Sequence, residues 1–180
     1  MQISSRFTIA IHILTAIDTF QNDYKVTSDF LAGSINVNPV IIRRTMQSLK
    51  GADLIEVKRG TGGMEIAKPM SEITLLDIFN AVEPLEDGQL FHFHENPNTE
   101  CPVGRNIHAG LDDKLFSIQA AMEDKMRSIT LEDVVRDTQA FINKENKRNH
   151  NKSVEIVKVQ FLRTFLSSKI WLIVNEVGHP

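Results

Sequence analysis

The sequence predicts a mostly α fold with one small β-hairpin and one long helix, and three observations carry that prediction. Three amphipathic helical segments follow one another between residues 4 and 54, separated by short polar turns. Two short runs of alternating polarity come next, around Arg59-Gly60-Thr61-Gly62-Gly63. Beyond residue 102, apolar residues recur every three or four positions for roughly 27 residues, about 40 Å of helix.

In the first segment Phe7, Ile11, Leu14 and Ile17 recur at helical spacing, with Ala10 and Ile13 in support, which predicts a helix over about residues 4–20. Gln21-Asn22-Asp23 ends it. Thr27 or Ser28 caps a short second helix, TSDFLAGSI, with Phe30, Leu31 and Ala32 facing inward. Asn36 then tolerates the left-handed backbone of a tight turn. Asn38 caps the third helix, and Pro39 sits at its first position, where a missing N–H costs nothing. Ile42, Met46 and Leu49 form its inward face, and Asp53-Leu54 closes it.

Two helices joined by a turn of three or four residues make a helix-turn-helix, and the second of them carries Arg43 and Arg44 near its start. By spacing alone, an ordinary helical hairpin with a solvated arginine pair fits equally well. The next residues shift the balance. Ile55-Glu56-Val57-Lys58 and Met64-Glu65-Ile66-Ala67-Lys68 are two strands around the glycine-rich tip, stopped by Pro69. Strand, glycine tip and strand directly after the second helix make a wing. Its glycines let backbone approach a phosphate or a narrow groove, and Arg59 suits the negative potential of an A·T-rich minor groove. A nucleotide-binding phosphate loop is disfavoured, because this loop opens no helix and no Lys-Ser/Thr follows.

SSRFTIAIHIL, VNPVIIRRTMQSLKGADLIEVKRGTGGMEIAKP, ITLLDIFNAVEP and CPVGRNIHAGLDDKLFSIQAAMEDKM together resemble the Rrf2 (Rrf-two) family of bacterial winged-helix regulators, over roughly residues 1–140. Asp53 stands where a glycine is usual, and Thr61 where a proline is usual. The expected fold class is therefore mostly α with a small β-hairpin wing: a winged helix-turn-helix domain plus a long dimerisation helix. The expected organisation is residues 1–83 for DNA binding, 84–102 as a loop, 103–143 as dimerisation helix and final short helix, and 144–180 as a tail. Asn38, Val40, Arg43, Arg44, Arg59, Gly60, Thr61, Gly62 and Gly63 are the expected DNA contacts. The partners implied are double-stranded DNA, as an inverted-repeat operator, and a second copy of the chain.

Thr74-Leu75-Leu76-Asp77 reads as a capping box opening a helix with Ile78, Phe79 and Val82 inward and Pro84 as its stop. Residues 85–100 read as an acidic surface loop. The long helix carries Val103, Ile107, Leu111, Leu115, Ile118, Met122, Met126 and Ile129 as one seam. A domain this small has little mass to cover such a seam, and a second copy across a two-fold axis covers it. The resemblance implies the same dimerisation role, and the expected interface is Val103 through Met126. Thr130-Leu131-Glu132-Asp133 is a second capping box, expected to start a short helix with Val134, Ala140 and Phe141.

Residues 144–180 fall outside the resemblance. KENKRNHNKS is polar and linker-like, and the rest is apolar and basic. Lys158, Arg163 and Lys169 interleave with Phe161, Phe165 and Trp171, a pattern compatible with a membrane-surface helix, although a weakly ordered tail is the expectation.

The net charge of −3 is unevenly distributed. Residues 1–69 hold eight Lys and Arg against six Asp and Glu, and residues 70–143 hold five against fourteen. Phosphate binding needs only local positive potential. A single cysteine excludes an intrachain disulfide and suits a reducing cytoplasm, the N-terminus reads as a helix and not a signal peptide, and no membrane span is expected.

Cluster-binding relatives use three cysteines in the loop before the long helix. This chain has only Cys101, and Gly104 stands where one relative has a histidine ligand, so an iron–sulfur cluster on the usual ligands is excluded and no cofactor is expected. His92, His94 and His108 lie nearby without the spacing of a zinc motif. Cys101 at the start of a long helix, followed by Pro102, is a candidate redox sensor, and an inert cysteine is the alternative. No GxSxG, HExxH or acid/base carboxylate pair is present, so no enzyme is expected. The function expected is a homodimeric repressor. The alternatives are a winged-helix dimer responding to a small molecule or metal, or a protein-contact module without DNA.

Overall fold

The computed structural model describes residues 4–58, 63–83, 85 and 88–149. The chain divides into two units, residues 1–136 and 137–180. Of the second, residues 137–149 are described and are helical.

The first unit begins with α1 (Ser5–Phe20), capped by the Ser4 hydroxyl. Ile9, Ala10, Ile13, Leu14, Ala16 and Ile17 are all buried, more of the helix than a single stripe. The reason is that α1 is central, with α2 (Ser28–Ile35), α3 (Pro39–Gly51), α4 (Leu75–Val82) and the hairpin all packed around it. Phe7 and Ile11, assigned to the core face from spacing, lie at its margin and are half-buried. The hairpin pairs β1 (Ile55–Val57) with β2 (Met64–Ile66), antiparallel, with Ile55 opposite Ile66. A 3₁₀ turn, Met70–Glu72, leads into α4.

The turn chemistry is local. Thr27 caps α2, and Asn36 ends it at φ 55°, with the Val37 N–H reaching back to the Ala32 carbonyl. The Asn38 side chain accepts the Val40 N–H at 2.8 Å to open α3 behind Pro39. α3 closes in a Schellman turn: Leu54 N–H bonds the Leu49 carbonyl at 3.0 Å, and Asp53 N–H bonds the Lys50 carbonyl at 3.1 Å. Asp53 takes the left-handed position at φ 54°. That explains why glycine is usual there: a Cβ is strained in this region. Asp53→Gly is therefore expected to stabilise the chain by up to about 1 kcal/mol, a rise of roughly 2–4 °C in Tm. A calorimetric Tm at or below that of the parent chain would contradict this.

Thr74 and Asp77 form the capping box of α4, whose Ile78, Phe79 and Val82 are buried. Pro84 lies outside the described residues, and the helix ends at Val82. α5 (Pro102–Arg127) follows, 26 residues long. Its end is tied to the start of α4: Leu75 N–H bonds the Ile129 carbonyl, Leu131 N–H bonds the Ile73 carbonyl, and Leu131 is buried in the main core. Thr130 and Asp133 reciprocate hydrogen bonds as expected of a capping box. The helix they open is not short, however. Residues 131–149 are helical, and Ala140 and Phe141 are exposed instead of inward. The run KENKRN, read as the start of a linker, is helical, since it contains neither proline nor glycine to stop the helix. The remainder of that segment lies outside the described residues.

The α5 seam divides into two rows. Met126 is only 9% exposed and packs with Phe79 and Leu90, with Met122 against the same cluster. Met126 thus belongs to the chain's own core and is withdrawn from the expected dimer surface. The loop before α5 supplies part of this cover. The Gln119 side chain accepts the Leu90 N–H at 2.9 Å and donates to the Gly88 carbonyl at 2.8 Å, which buries Leu90 in what read as a plain surface loop. Val103 (69% exposed), Leu111 (37%) and Ile118 (55%) stay open.

Candidate nucleic-acid interface

α3 presents two faces. Ile42, Thr45 and Leu49 are buried against α1 and α2, which fixes the helix and leaves Asn38, Val40, Ile41, Arg43, Arg44 and Gln47 outward. Arg43 reaches back to α2, where it meets Asp29 at 3.3 Å and the Ser28 hydroxyl at 3.4 Å. Both side chains of that ion pair are more than half exposed. Such pairs are worth about 0–1 kcal/mol, so Asp29 orients Arg43 without locking it. Arg43, Gln47 and Lys50 line one flank of α3 together with Ser28 and Val57. Arg44 lines the opposite flank together with Arg6. Val40, Ile41 and Val57 add exposed apolar surface of the kind that meets thymine methyl groups.

The hairpin stands beside this helix, with β1 packed on α3. Its last described hydrogen bond runs from Lys58 N–H to the Gly63 carbonyl, and Lys58 pairs with Glu65 across it. Arg59, Gly60, Thr61 and Gly62 lie outside the described residues. At Gly63 a Cβ would meet nothing within 4 Å, so packing does not demand glycine there. Of the residues singled out from sequence, the structure thus gathers Asn38, Val40, Arg43 and Arg44 on one exposed face. Reading by segment missed Arg6, Ser28 and Val57, because each enters this surface from an element other than α3, and passed over Lys50 at the far end of α3 itself.

Cys101 is exposed and stands at the N-cap of α5, with Pro102 at the first position. The Gly104 and Val103 backbone N–H groups beside the sulfur favour its thiolate and hold the thiol below its ordinary value, although no hydrogen bond of regular capping geometry forms. Farther along α5, His108 stacks on His94 with ring centroids 5.3 Å apart. Its Nδ1 faces Asp112 Oδ1 at 3.1 Å and its Nε2 faces the His94 carbonyl at 3.1 Å. Both partners only accept, so both bonds form together only when the ring carries two protons. Among the described residues, no group of three or more His, Cys, Asp or Glu side chains is placed to hold a metal.

Residues 3–137 match the Rrf2 family, described as an iron-dependent transcriptional regulator. The chain belongs to the Rrf2 family. It is 42% identical over 133 residues to YwnA of Bacillus subtilis (strain 168), which is named for an HTH-type transcriptional regulator; the match covers 74% of this chain and 96% of YwnA. A crystal structure of a protein named for DNA binding is 38% identical, covering 72% of this chain and 98% of that one, with a TM-score of 0.59. A regulator from Lactobacillus plantarum shares the fold at 23% identity and a TM-score of 0.63, over 80% of this chain and 98% of its own. Two of the curated relatives of this Rrf2 chain, YwnA and YwgB of Bacillus subtilis, are named for HTH-type transcriptional regulators.

An iron–sulfur cluster held by three cysteines does not fit this Rrf2 chain. It has one cysteine. Position 104, glycine here, is closed to a larger residue, because a Cβ there would lie 2.2 Å from the Asn98 carbonyl oxygen. The backbone of the preceding loop fills the space a ligand side chain would need. Gly104→Ala is expected to push that loop off α5 and cost about 1–3 kcal/mol, as other overpacking changes do. Thermal denaturation followed by circular dichroism should fall by several degrees, and an unchanged midpoint would show the loop yielding freely.

Proposed function

We propose that this Rrf2 regulator is a cytoplasmic homodimeric repressor that reads an inverted-repeat operator through α3 and the wing. One observation carries the reading. α3 is held by its buried face while its opposite face carries Arg43 and Arg44 outward, with the hairpin alongside. Arg43 addresses base edges, Arg44 backbone phosphate, and Arg59 with Gly60, Thr61, Gly62 and Gly63 a minor groove. Open Val103, Leu111 and Ile118 on a 26-residue helix support pairing with a second copy, which sets the two reading heads at the half-site spacing of about 34–36 Å. A gel shift with the DNA upstream of the chain's own coding region tests it: a discrete shifted band resisting competitor DNA is expected, and its absence overturns the reading. No helix among the described residues is long and apolar enough to cross a membrane.

The signal proposed is oxidation at Cys101, supported by its exposure and its thiolate-favouring position at the start of the helix that spaces the heads. A hydroperoxide takes two electrons from the sulfur, the O–O bond breaks, and sulfenic acid forms with release of water or alcohol. A small thiol or a second Cys101 then condenses to a disulfide with loss of water. Because the thiol is lowered, alkylation of Cys101 should persist to lower pH than that of a free thiol. A mild oxidant should weaken operator binding about 5–150-fold in the wild type and leave Cys101→Ser unchanged. Equal weakening of both, or of neither, makes Cys101 a bystander.

A further inference from the structure

The groove between the start of α1 and the Arg44 side of α3 joins a residue of α1 to the phosphate-facing edge of α3. It measures about 310 Å³ and is lined by Ser5 and Arg6 from α1 and by Arg44 and Ser48 from α3, with Ile41 and Val82 contributing apolar wall. Arg6 and Arg44 are both exposed, and among the described residues neither guanidinium has a side-chain hydrogen bond or ion pair. Two like charges lining one groove repel, and an anion between them relieves that repulsion. Ser4, which also lines the groove, donates its hydroxyl to the Glu83 carboxylate, and Glu83 pairs with neither arginine. Ser4 Oγ also accepts the Arg6 N–H, so the α1 amide is already used and the side chains form the seat.

We propose that Arg6 and Arg44 together seat one backbone phosphate of the DNA, clamping it between α1 and α3 while the remainder of α3 lies in the major groove. The seat deepens the operator-binding reading and rests on it. The groove is continuous with the exposed α3 face, so a duplex lying on Arg43 and Val40 passes its sugar–phosphate strand along the Arg44 edge. Two arginines offer forked donors to the phosphate oxygens, and the Ser5 and Ser48 hydroxyls lie within the same groove. The α1 arginine carries no sequence information and positions the reading helix on the strand.

A phosphate contact leaves a thermodynamic signature that a structural residue does not. Each neutralised phosphate adds about 0.9 to the slope of log K against log salt, and a dimer presents the seat twice. The double variant Arg6→Ala with Arg44→Ala, which empties the seat, should therefore lower the slope by about 2 and shrink binding by about tenfold more at 50 mM than at 200 mM salt, and Arg6→Ala alone should lower the slope by a smaller amount. The loss should be the same on the operator and on a scrambled duplex, and Arg6→Lys should recover most of the slope. Anisotropy titrations of the full chain at several salt concentrations read all of this, with circular dichroism confirming that the exposed substitution leaves the fold intact. A full slope in Arg6→Ala while the wild type binds normally overturns the seat alone, as does a loss confined to the operator. A wild type that binds neither duplex overturns the operator reading and the seat with it. Displacement of the duplex by millimolar inorganic phosphate at constant ionic strength would make the groove a seat for free phosphate and also overturn the proposal.

Discussion

Replacing Leu111 and Ile118 by glutamate is expected to give a folded monomer that no longer holds its operator. Both side chains keep solvent-exposed surface in the single chain, 37% and 55%, and neither belongs to its buried core. In the proposed dimer each is buried twice. Scaled to the fraction still exposed, these four side chains, worth about 1.5–3 kcal/mol each for full burial, contribute roughly 3–6 kcal/mol. A micromolar association is worth only about 8 kcal/mol in total, so removing this term and burying charge in its place abolishes pairing. Leu115 is a poorer choice because it is half-buried already, and Met126 poorer still because its loss would damage the core. Sedimentation should show the wild type as a dimer and the variant as a monomer at micromolar concentration, with unchanged far-ultraviolet dichroism. A monomeric wild type would remove the proposal. Operator affinity should fall with the dimer, since one head then binds without its partner.

Arg43→Ala is expected to cost about 2–6 kcal/mol of operator affinity, because a base contact is worth roughly 1–3 kcal/mol and the dimer makes it twice. That corresponds to about 30-fold or more at fixed salt. The Asp29 pair sets a control. Its exposure limits it to about 0–1 kcal/mol, so Asp29→Asn should bind the operator no more weakly than the wild type. If Arg43 served only to staple α2 to α3, both substitutions would lower Tm and neither would change relative affinity for mutated operators. Equal operator affinity in Arg43→Ala and wild type would place the DNA face elsewhere.

The sequence by itself determined whatever is settled within a few residues along the chain. Asn38-Pro39, Thr74 with Asp77, and Thr130 with Asp133 announced three helix starts, because a cap satisfies amides only two or three positions away. Asn36 marked the left-handed turn, and the glycine-rich run between alternating segments marked the hairpin, for the same reason. Arg43 and Arg44 were legible as outward because their own helix carries Ile42, Met46 and Leu49 toward the other side, although the structure buries Thr45 more deeply than Met46.

Contacts between distant segments were decided only by tertiary structure. The α5 seam was continuous in sequence, yet Phe79 and Leu90 take Met126 into the core and leave Val103, Leu111 and Ile118 open. No local pattern says which neighbour covers which row of a helix. Gly104 read as a missing ligand, whereas the structure shows the Asn98 carbonyl occupying the space of its absent side chain. Arg6 read as an ordinary polar position at the start of α1, and it became part of a charged groove because Arg44, 38 positions later in the sequence, lines the same hollow. Capping is a matter of the backbone's own next turn, but the sum of charge at a surface depends on how α1 and α3 cross. That crossing is set by the burial of Ile13, Ile17, Ile42 and Leu49 in one core.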